Sequence, residues 1–460
     1  MKSNGQAYIH TIGCQMNVYD SQKLAGILTR MGYRMAAAMD DADLVVCNTC
    51  SIRHKSEEKA FSFLGRFAEK KKTNPHLITV MAGCVAQQEG EKAFSRLPHL
   101  NLVLGTQAFE RFESHIKALH NGKRRITDIE GSASIFEAPT DSTCFEENTV
   151  SRFVTIMQGC DNYCTYCVVP YVRGRERSRS ADSVLDEIRT LCDNGVGEIT
   201  LLGQNVNSYG QKEGMTSFAG LLGQVCGIDG VKRIRFATSH PKDLSDELIH
   251  AIAGLDKVCN HIHLPVQSGS SRILKKMNRG YTRAHYLSLI SKLKDACPGI
   301  ALSTDIIVGF PSETQEDFED TMSLLSEVGF DSIFAFAYSD RSSAPAAKFP
   351  DQVDEKEKRA RLNRLLALQE DFTIRKNIAL VGQTVQILVE GKSTKPREGF
   401  ESEFSNNQQM MGRTESNKIV HFPAGEKGPA IGDLIDIRIE NAYAHSLWGS
   451  PVRDMNSDEE

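Results

Sequence analysis

The first 120 residues alternate short apolar runs with stretches of helix-like periodicity. The runs AYIHTIGC, ADLVVCNTC, LITVMAGC and NLVLGT are typical of strands in a parallel sheet with helices between them. A cysteine stands just past three of these runs, at Cys14, Cys50 and Cys84. The carboxyl ends of parallel strands lie on one edge, where such folds bind ligands, so cysteines distant in sequence can converge there. The pattern predicts a parallel α/β domain over residues 5–121.

A polar segment without sustained periodicity follows, and it predicts a linker over residues 122–145. A second alternating series then predicts six strands, namely RFVTIMQG, EITLLGQN, RIRFATSH, HIHLPVQSG, ALSTDIIVGF and DSIFAFAYS. Six strand–helix units can curl into an incomplete version of the eightfold α/β barrel, whose active-site loops lie at the carboxyl ends of the strands. We therefore expect a central partial (βα)6 barrel over residues 146–377.

The chain ends with a long helix and a β-rich region. Leucines lie on one side of DEKEKRARLNRLLALQEDFTIRKNIALVG, which indicates an amphipathic connector helix. The segments QTVQILVEG, MMGRTESNKIVHFP and GDLIDIRIENAYAHSLWGS then alternate apolar and polar residues between glycine-rich turns. This pattern predicts a small β-barrel over residues 378–455. The predicted fold class is α/β, with three domains.

Composition adds a few limits to this picture. A chain of 460 residues is too long for one ordinary core and favours about three domains. Its apolar stretches are shorter than the ~18 residues of a membrane span, and the start MKSNGQAYIHTIG lacks a secretory apolar core, so we expect a cytoplasmic protein. The formal net charge is −5, so any RNA site must be a local basic patch.

The segment GCDNYCTYC places Cys160, Cys164 and Cys167 in a C-x3-C-x2-C array directly after the apolar run FVTIM. Twelve cysteines in a cytoplasmic chain favour metal ligation or buried packing over disulfides. One interpretation is a zinc knuckle whose fourth ligand comes from a later strand. The candidates for that ligand are His240, His261 and His263.

The alternative for this array is an iron–sulfur cube held through three irons, with the fourth iron open. An open iron can chelate the amino and carboxylate groups of S-adenosylmethionine, and an electron then cleaves its carbon–sulfur bond to give an adenosyl radical. The aromatic Tyr166, directly before the last cysteine, favours this interpretation.

Four further cysteines lie in or just after the predicted strands of the first domain. Cys14, Cys50 and Cys84 are either buried free thiols or ligands gathered at one sheet edge. Cys47 forms C-x2-C with Cys50, a common zinc half-site, but it ends an apolar run and has no second half-site nearby. We interpret Cys47 as a buried strand residue.

Three loops after predicted strands carry residues suited to a polar cofactor. Asparagine and glutamine amides both donate and accept hydrogen bonds, as recognition of an amino-acid end or a ribose requires. Each loop alone is more typical of an ordinary turn, but three at one barrel rim beside the cysteine array favour a cofactor pocket. The candidate residues are Gln204, Asn205, Asn207, Gln267, Ser268 and Gly309.

Basic residues mark two candidate RNA surfaces near the array and a weaker one in the last domain. PYVRGRERSRS carries Arg173, Arg175, Arg177 and Arg179, and arginine forks suit phosphate oxygens and stack on bases. A solvated loop is the alternative, which adjacency to the cysteine array makes less attractive. The second surface, SRILKKMNRGYTR, offers Arg272, Lys275, Lys276, Arg279 and Arg283, and the last domain offers Arg413, Lys418 and Phe422.

Several motifs, in one order, carry a family resemblance. GCDNYCTYC resembles the cluster motif of radical-SAM enzymes. GCQMNVYDS, NTCSIRHKSEEKA, AGCVAQQ and LLGQNVNSYG are similar to the methylthiotransferase family, and most of all to its branch that acts on isopentenyladenosine in tRNA. The resemblance runs from about residue 7 to 450, and it includes a C-terminal region similar to the TRAM RNA-binding module.

The resemblance implies a methylthiotransferase that uses S-adenosylmethionine radical chemistry and holds two 4Fe-4S clusters. The barrel cluster on Cys160, Cys164 and Cys167 would generate the radical. A second cluster on Cys14, Cys50 and Cys84 would deliver sulfur, and a second S-adenosylmethionine would supply the methyl group. The resemblance implies that the loop residues above, with Tyr166, surround S-adenosylmethionine. Arginine chemistry and adjacency to the array predict tRNA contacts at Arg173, Arg175, Arg177 and Arg179, and the TRAM resemblance with local groups predicts them at Arg413 and Lys418. No catalytic residue beyond the clusters is implied.

The implied target is carbon 2 of an N6-isopentenylated adenine beside the tRNA anticodon. This hydrogen is neither acidic nor easily displaced, so a radical must abstract it, and the base must leave its stack, which costs least in a loop. The implied partners are a reductant such as flavodoxin or ferredoxin and an unidentified sulfur donor, acting on a monomer.

Three alternatives remain open at this point. The same chemistry could act on threonylcarbamoyl-adenosine in tRNA or on a ribosomal-protein aspartate. A radical methylase with an N-terminal cobalamin domain is disfavoured, because the D-x-H-x-x-G loop is absent. A non-enzymatic, metal-stabilised RNA-binding protein is the alternative of a different class. Iron and sulfide analysis separates the last two from the main interpretation, because about eight irons indicate two cubes, about four indicate one, and zinc alone favours the binding protein.

Overall fold

The computed structural model describes residues 5–51, 54–132, 135–137, 149–341, 343–393, 409–425 and 428–452. Most of the later half of the predicted linker, residues 138–145, therefore lies outside the described residues. Among the described helices, none combines the length and the apolar character needed to cross a membrane.

Six parallel strands form the N-terminal sheet, in the order β2-β1-β3-β4-β5-β6. The predicted parallel sheet is confirmed, and its edges gain β2 and β6, which at two and three residues are too short for the apolar pattern to reveal. The edge strand β6 lies inside the segment predicted as linker. The strands are β1 Gln6–Ile12, β2 Arg34–Met35, β3 Leu44–Thr49, β4 Ile78–Gly83, β5 Leu102–Leu104 and β6 Ile126–Asp128.

Helices cover both faces of this sheet, so the central strands are buried throughout. One core holds Leu24 and Phe112 against Val46, and the other holds Phe63 and Val85 against Val45. The helices are α1 Gln15–Arg30, α2 His54–Gly65, α3 Phe67–Thr73, α4 Cys84–Glu89, α5 Ala93–Arg96 and α6 Phe112–His120.

The register of the three central strands aligns their carboxyl ends. Ile12 of β1 pairs with Thr49 of β3, and Thr49 is opposite Gly83 of β4. The three cysteines expected at this edge therefore lie just past one aligned row of the sheet. Cys14 comes two residues after Ile12, Cys50 one residue after Thr49, and Cys84 one residue after Gly83.

Six further parallel strands form the central half-barrel, as predicted, in two sheets of order β11-β10-β7 and β12-β13-β14. An isolated parallel bridge links Ile234 of β11 to Val258, three residues before β12, and so connects the two sheets through the start of that segment. The predicted strand RFVTIMQG is split into β7 and the short β8, which pairs with β9. The strands are β7 Ser151–Thr155, β8 Met157–Gln158, β9 Arg177–Ser178, β10 Glu198–Leu202, β11 Arg233–Ala237, β12 His261–His263, β13 Ala301–Val308 and β14 Ser332–Ala337.

The outward face of the half-barrel packs on helices, and its inward face encloses a space that we call the lumen. Val154, Ile199 and Ile306 point outward into one large apolar core. Their neighbours along each strand therefore point inward, because side chains alternate along a strand. The helices are α7 Val169–Val172, α8 Ala181–Asp193, α9 Phe218–Cys226, α10 Asp246–Gly254, α11 Ser271–Lys276, α12 Arg283–Ala296 and α13 Gln315–Val328.

The N-terminal domain docks on the half-barrel through the start of α1. Met16 and Tyr19 pack on the inward side chain Leu202, with Cys14 beside them. The buried carboxylate of Glu187 on α8 accepts hydrogen bonds from the Tyr19 hydroxyl, from Lys23 Nζ at 2.7 Å and from Arg179 Nη1 at 2.6 Å. We call this group the Glu187 cluster.

The last domain is a closed barrel of order β15-β16-β17-β19-β18, reached through the predicted connector helix α14, Glu355–Ile378. It docks at the amino-terminal ends of the half-barrel strands. Arg233 donates to the backbone oxygen of Arg413 at 2.6 Å, and Arg235 donates to that of Thr414 at 2.7 Å. The strands are β15 Thr384–Lys392, β16 Gln409–Thr414, β17 Ile419–Pro423, β18 Leu434–Ala442 and β19 Leu447–Pro451.

Glu187→Gln removes the only negative charge of the Glu187 cluster while keeping its shape. Lys23 and Arg179 then lose the buried carboxylate that they share, so we expect the free energy of unfolding to fall by about 3 kcal/mol. Urea denaturation followed by circular dichroism measures this change.

Asp186→Asn is the matched control on the same helix, since Asp186 and its partner Arg189 are exposed. This pair is worth at most about 0.5 kcal/mol. Equal shifts in the two variants would contradict a structural role for the Glu187 cluster.

Candidate functional site

The C-x3-C-x2-C array lies in the loop that follows β8, at the carboxyl ends of the half-barrel strands. Backbone contacts shape this loop: Gly159 donates its N–H to Gln204 Oε1 at 2.5 Å, and Thr165 donates its N–H to Met277 O at 3.0 Å. Gly159 has φ +82°, and a Cβ there would lie 2.0 Å from Arg175 O, so only glycine fits. Cys167 N–H donates to Cys164 O at 2.9 Å, which keeps these two cysteines together.

Burial disfavours free thiolates in this array. Together with the charge of the neighbouring Cys164, it raises the pKa of Cys160 to about 11 and that of Cys167 to about 12. Three neighbouring, mutually repelling thiolates suit a cationic metal core, because the metal binds cysteines in the deprotonated form. The donor set therefore fits an iron–sulfur cluster.

One buried arginine contacts this array. Arg279 donates from Nη1 to Cys164 Sγ at 3.4 Å and to the Tyr166 hydroxyl at 3.3 Å, and from Nη2 to Pro265 O at 2.7 Å. The prediction of Arg279 as part of an exposed basic patch is thus wrong, because only 5% of the residue is exposed. Its charge offsets that of the thiolates.

The second cysteine set converges at the sheet edge. A hydrogen bond from Cys50 is the main cause that lowers the pKa of Cys14 to about 6, while the Cys14 charge adds to the burial that raises the pKa of Cys84. The three thiols are therefore neighbours in space. Cys47 is instead buried with Val45 and Met81 in one of the two cores of the N-terminal domain, as predicted for a strand residue.

Asn17 holds Cys14 in this position, and the sequence analysis did not single it out. Its Oδ1 accepts from the Cys14 N–H at 3.2 Å, and its Nδ2 donates to Thr49 O at 3.1 Å. The residue is fully buried. Asn17 thus ties the start of α1 to the end of β3, directly before Cys50. The available signal was a polar residue three positions after a candidate ligand.

The two cysteine sets share a wall. Cys84 packs with Val168, Val172 and Ala344, and Val168 directly follows Cys167. Thr106 Oγ1 donates to Val172 O across the domain boundary. The same short segment that carries the last cysteine of the barrel array therefore covers a cysteine of the other set.

The zinc alternative finds no preformed site in the part of the chain that the structure describes, where no three His, Cys, Asp or Glu side chains surround a single ion position. A cube differs in that each thiolate binds a different iron. The proposed histidine ligands are engaged elsewhere: Ser303 Oγ lies 3.2 Å from His261 Nε2 and 3.0 Å from His263 Nδ1, and His240 Nδ1 accepts from Lys242 N–H at 3.2 Å.

Buried polar atoms without partners lie at the carboxyl ends of β10 and β11. Asn205 donates to Asp243 at 2.7 Å, but within the described residues its Oδ1 has no partner, nor do Asn207 Oδ1 and His240 Nε2. Buried polar groups are normally paired, so these atoms indicate a place for a polar ligand. They fit the amino-acid end or ribose of S-adenosylmethionine.

The other candidate cofactor residues lie in the loops that follow β12 and β13. Ser268 is fully buried and its Oγ accepts from Ser270 N–H at 3.2 Å. Gln267, at φ +76°, forms an isolated parallel bridge with Ile306 of β13. Gly309 N–H donates to Glu313 Oε2 at 2.6 Å, and a Cβ there would lie 2.3 Å from Lys358 of α14. A close approach of α14 therefore accounts for this glycine.

Two of the four predicted RNA-binding arginines are buried, which corrects that expectation. Arg173 is 3% exposed and donates to Asp20 Oδ2 at 2.7 Å, and Arg179 belongs to the Glu187 cluster. Both face the N-terminal domain, so neither presents a donor to RNA. Arg175 is three-quarters exposed, 2.9 Å from Asp161, and Arg177 is half-buried against Ser132 O.

The predicted RNA contacts of the last domain also differ in how accessible they are. Lys418 Nζ donates to Asn377 Oδ1 at 2.8 Å and lies 3.5 Å from Asp331. It therefore joins this domain to α14 and to the half-barrel, with a side chain only 14% exposed. Arg413 is more accessible and pairs with Glu390 at 3.0 Å. Phe422 lies in the barrel core.

Comparisons with known proteins agree with this architecture. Residues 6–105 match the uncharacterized protein family UPF0004, residues 154–325 match the Radical SAM superfamily, and residues 379–452 match the TRAM domain.

Relatives match over almost the whole chain. A protein of Desulfosudis oleivorans named tRNA-2-methylthio-N(6)-dimethylallyladenosine synthase is 52% identical over 97% of this chain and 96% of its own. A Geobacter metallireducens protein of the same name is 48% identical over 96% and 97%.

Solved structures show the same fold at low identity. The radical S-adenosylmethionine methyltransferase TsrM from Kitasatospora setae superposes with a TM-score of 0.56, at 13% identity, over 75% of each chain. The cobalamin-dependent enzyme OxsB superposes with a TM-score of 0.52, at 14% identity, over 80% of this chain and 56% of its own.

Arg173→Met leaves Asp20 buried without its partner, so we expect a loss of about 3 kcal/mol in the free energy of unfolding. Burial raises the pKa of Asp20, so the unpaired carboxyl takes up a proton as the pH falls, and the loss becomes smaller at lower pH. Urea denaturation at several pH values measures both effects.

The double variant Asp20→Asn with Arg173→Met removes both charges and should recover at least about half of that loss. Arg175→Ala is the control and should change stability by less than about 0.5 kcal/mol. If Arg173→Met is as stable as the Arg175→Ala control, the buried ion pair of Arg173 with Asp20 is contradicted.

Proposed function

Because the chain belongs to the tRNA-2-methylthio-N(6)-dimethylallyladenosine synthase family of radical SAM enzymes, we propose that it methylthiolates carbon 2 of an N6-dimethylallylated adenosine in tRNA. The observation that supports this most strongly is the wall shared by the two cysteine sets, with Cys84 packed on the segment that follows Cys167. Two reactive groups that must act on one carbon atom need such a common space.

We assign one 4Fe-4S cluster to Cys160, Cys164 and Cys167 and a second one to Cys14, Cys50 and Cys84. When bound, the first cluster with S-adenosylmethionine supplies the radical chemistry, and the second supplies sulfur. Each set offers three thiols, which leaves one iron of each cube open. Asn205 Oδ1, Asn207 Oδ1 and His240 Nε2, which have no partner among the described residues, would hold polar groups of the cofactor.

The chain's own residues prepare the site in three ways. Arg279 and Arg173 each place a buried positive charge beside one cysteine set and so offset the negative thiolates. Asn17 fixes Cys14 against the end of β3. Met16, Tyr19 and Leu202 close the lumen under Cys14, and this apolar packing excludes water from that side.

The RNA contact lies beside the barrel array, where Arg175 is exposed and Arg177 is partly so. The TRAM domain sits at the far end of the half-barrel, and there Arg413 remains a candidate contact. A cytoplasmic location, a monomeric state, an external reductant and a separate sulfur donor remain predictions.

The function is tested by expressing the protein in a host that lacks its own methylthiotransferase and analysing digested tRNA by mass spectrometry. The 2-methylthio derivative of dimethylallyladenosine should appear. Unchanged dimethylallyladenosine, despite full iron loading, would defeat the assigned substrate.

Replacing Cys14, Cys50 and Cys84 together by alanine should halve the bound iron, from about eight to about four atoms per chain. Replacing Cys160, Cys164 and Cys167 should do the same, since each set holds its own cube. Anaerobic iron and sulfide analysis gives the result.

Cys47→Ala is the matched control and should retain about eight irons, because Cys47 lies in the opposite core. A wild-type iron content in the first triple variant would rule out a cluster at the sheet edge.

Arg175→Gln should weaken binding of an anticodon stem-loop and reduce the slope of log affinity against log salt by about 1, the effect of one lost phosphate contact. Fluorescence anisotropy at four salt concentrations measures the slope. Arg189→Gln, an exposed arginine on α8 away from the array, is the control. Identical slopes in the two variants would remove Arg175 from the RNA contact.

A further inference from the structure

The inward face of the half-barrel carries an aromatic ring, that of Phe334, whose exposure packing does not explain. Ile333 and Ala335 of β14 point outward into the core, while Phe334 between them points inward and is 52% exposed. Parallel strands in such folds are normally covered on both faces. An open space therefore lies in front of Phe334, in the lumen.

The neighbours of Phe334 are polar. Asp305 of β13 pairs in register with Phe334, and the His263 ring meets the Phe334 ring edge-on, with 5.8 Å between centroids. Asp305 Oδ1 lies 3.6 Å from His263 Nε2, and the Asp305 side chain remains 31% exposed. We call the face formed by His263, Asp305 and Phe334 the lumen wall.

A hydrogen-bonded chain sets the orientation of His263 in this wall. Burial lowers the pKa of His261 to about 3, so this ring is neutral. Ser303 Oγ lies 3.2 Å from His261 Nε2 and 3.0 Å from His263 Nδ1, so its hydroxyl links the two rings. This contact at Nδ1 leaves His263 Nε2 facing Asp305. One side of the Asp305 carboxylate is thus engaged, and the other side is open to the lumen.

The depth of the wall relates it to the reacting position. The paired ends of β13 and β14 are Val308 and Ala337, three residues beyond Phe334. At ~3.3 Å per residue, the wall lies about 10 Å below the rim that carries the cysteine arrays. In adenine, N1 separates carbon 2 from the carbon that bears N6. A base with carbon 2 at the rim can therefore extend its N6 substituent towards the wall.

We propose that the lumen wall binds the N6 substituent of the target adenosine and so selects its chemical class. Phe334 packs against an uncharged, branched hydrocarbon such as dimethylallyl. Asp305 repels a substituent that carries a carboxylate, such as threonylcarbamoyl. This inference rests on the proposed function and adds its specificity determinants.

The test measures binding of three anticodon stem-loops that differ only at N6 of one adenosine, which is unmodified, dimethylallylated or threonylcarbamoylated. Cluster-loaded protein without S-adenosylmethionine is titrated by fluorescence anisotropy, so no turnover enters the result. The wild type should bind the dimethylallylated RNA at least about fivefold more tightly than the other two.

Phe334→Ala should reduce this preference to less than about twofold and leave the affinity for unmodified RNA unchanged. Asp305→Asn should raise the affinity for the threonylcarbamoylated RNA at least about threefold, because the repulsion is removed. Leu366→Ala is the matched control: it truncates an exposed apolar side chain of α14 and should leave all three affinities unchanged.

Wild-type preferences in both wall variants would overturn the proposal. If Phe334→Ala loses iron or ellipticity, Asp305→Asn decides the matter, and an unchanged affinity for the threonylcarbamoylated RNA then overturns the proposal. Wild-type turnover of the dimethylallylated RNA separates the two claims. No methylthiolated product would defeat the proposed function, whereas product formed alongside unchanged preferences in the variants would defeat the wall alone.

Discussion

The relation between the two cysteine sets depends on charges buried where the first domain meets the half-barrel. Glu187 binds Tyr19, Lys23 and Arg179, and the pair of Asp20 with Arg173 lies beside it. Buried ion pairs add little net stability, since removing charges from water costs about as much as their attraction returns, but a broken pair leaves a bare charge. These contacts therefore penalise any docking other than the observed one. The first turn of α1, and with it Cys14, is held over the lumen as a result.

The sequence was most informative where local pattern and structure coincide. Apolar runs predicted the strands, and cysteines just past those runs predicted a convergence that follows from strand register. The segment PYVRGRERSRS was less informative, because nothing within it distinguishes Arg173, which meets Asp20 in a distant helix, from the exposed Arg175. Arg279 was assigned to the surface for the same reason. Burial of a charged side chain depends on partners that a local pattern does not contain.

The half-barrel has two faces with different roles. Its outward face is an apolar core shared with the helices, while its inward face holds ion pairs, histidines and an exposed phenylalanine. The start of α1 covers this inward face near β10, and the turn after β16 covers it near β11. The face along β12–β14 is left accessible. A barrel filled with aliphatic side chains would be more stable, so its polar lining is consistent with a working cavity.

The docking of the TRAM domain at the amino-terminal ends of the strands also has a geometric consequence. The eight residues of β13 span about 26 Å between the two rims of the half-barrel. An RNA that touched Arg175 at one rim and Arg413 at the other would have to bridge that interval. Such a protein would select folded RNAs by their length and curvature, without contacting any of the intervening bases.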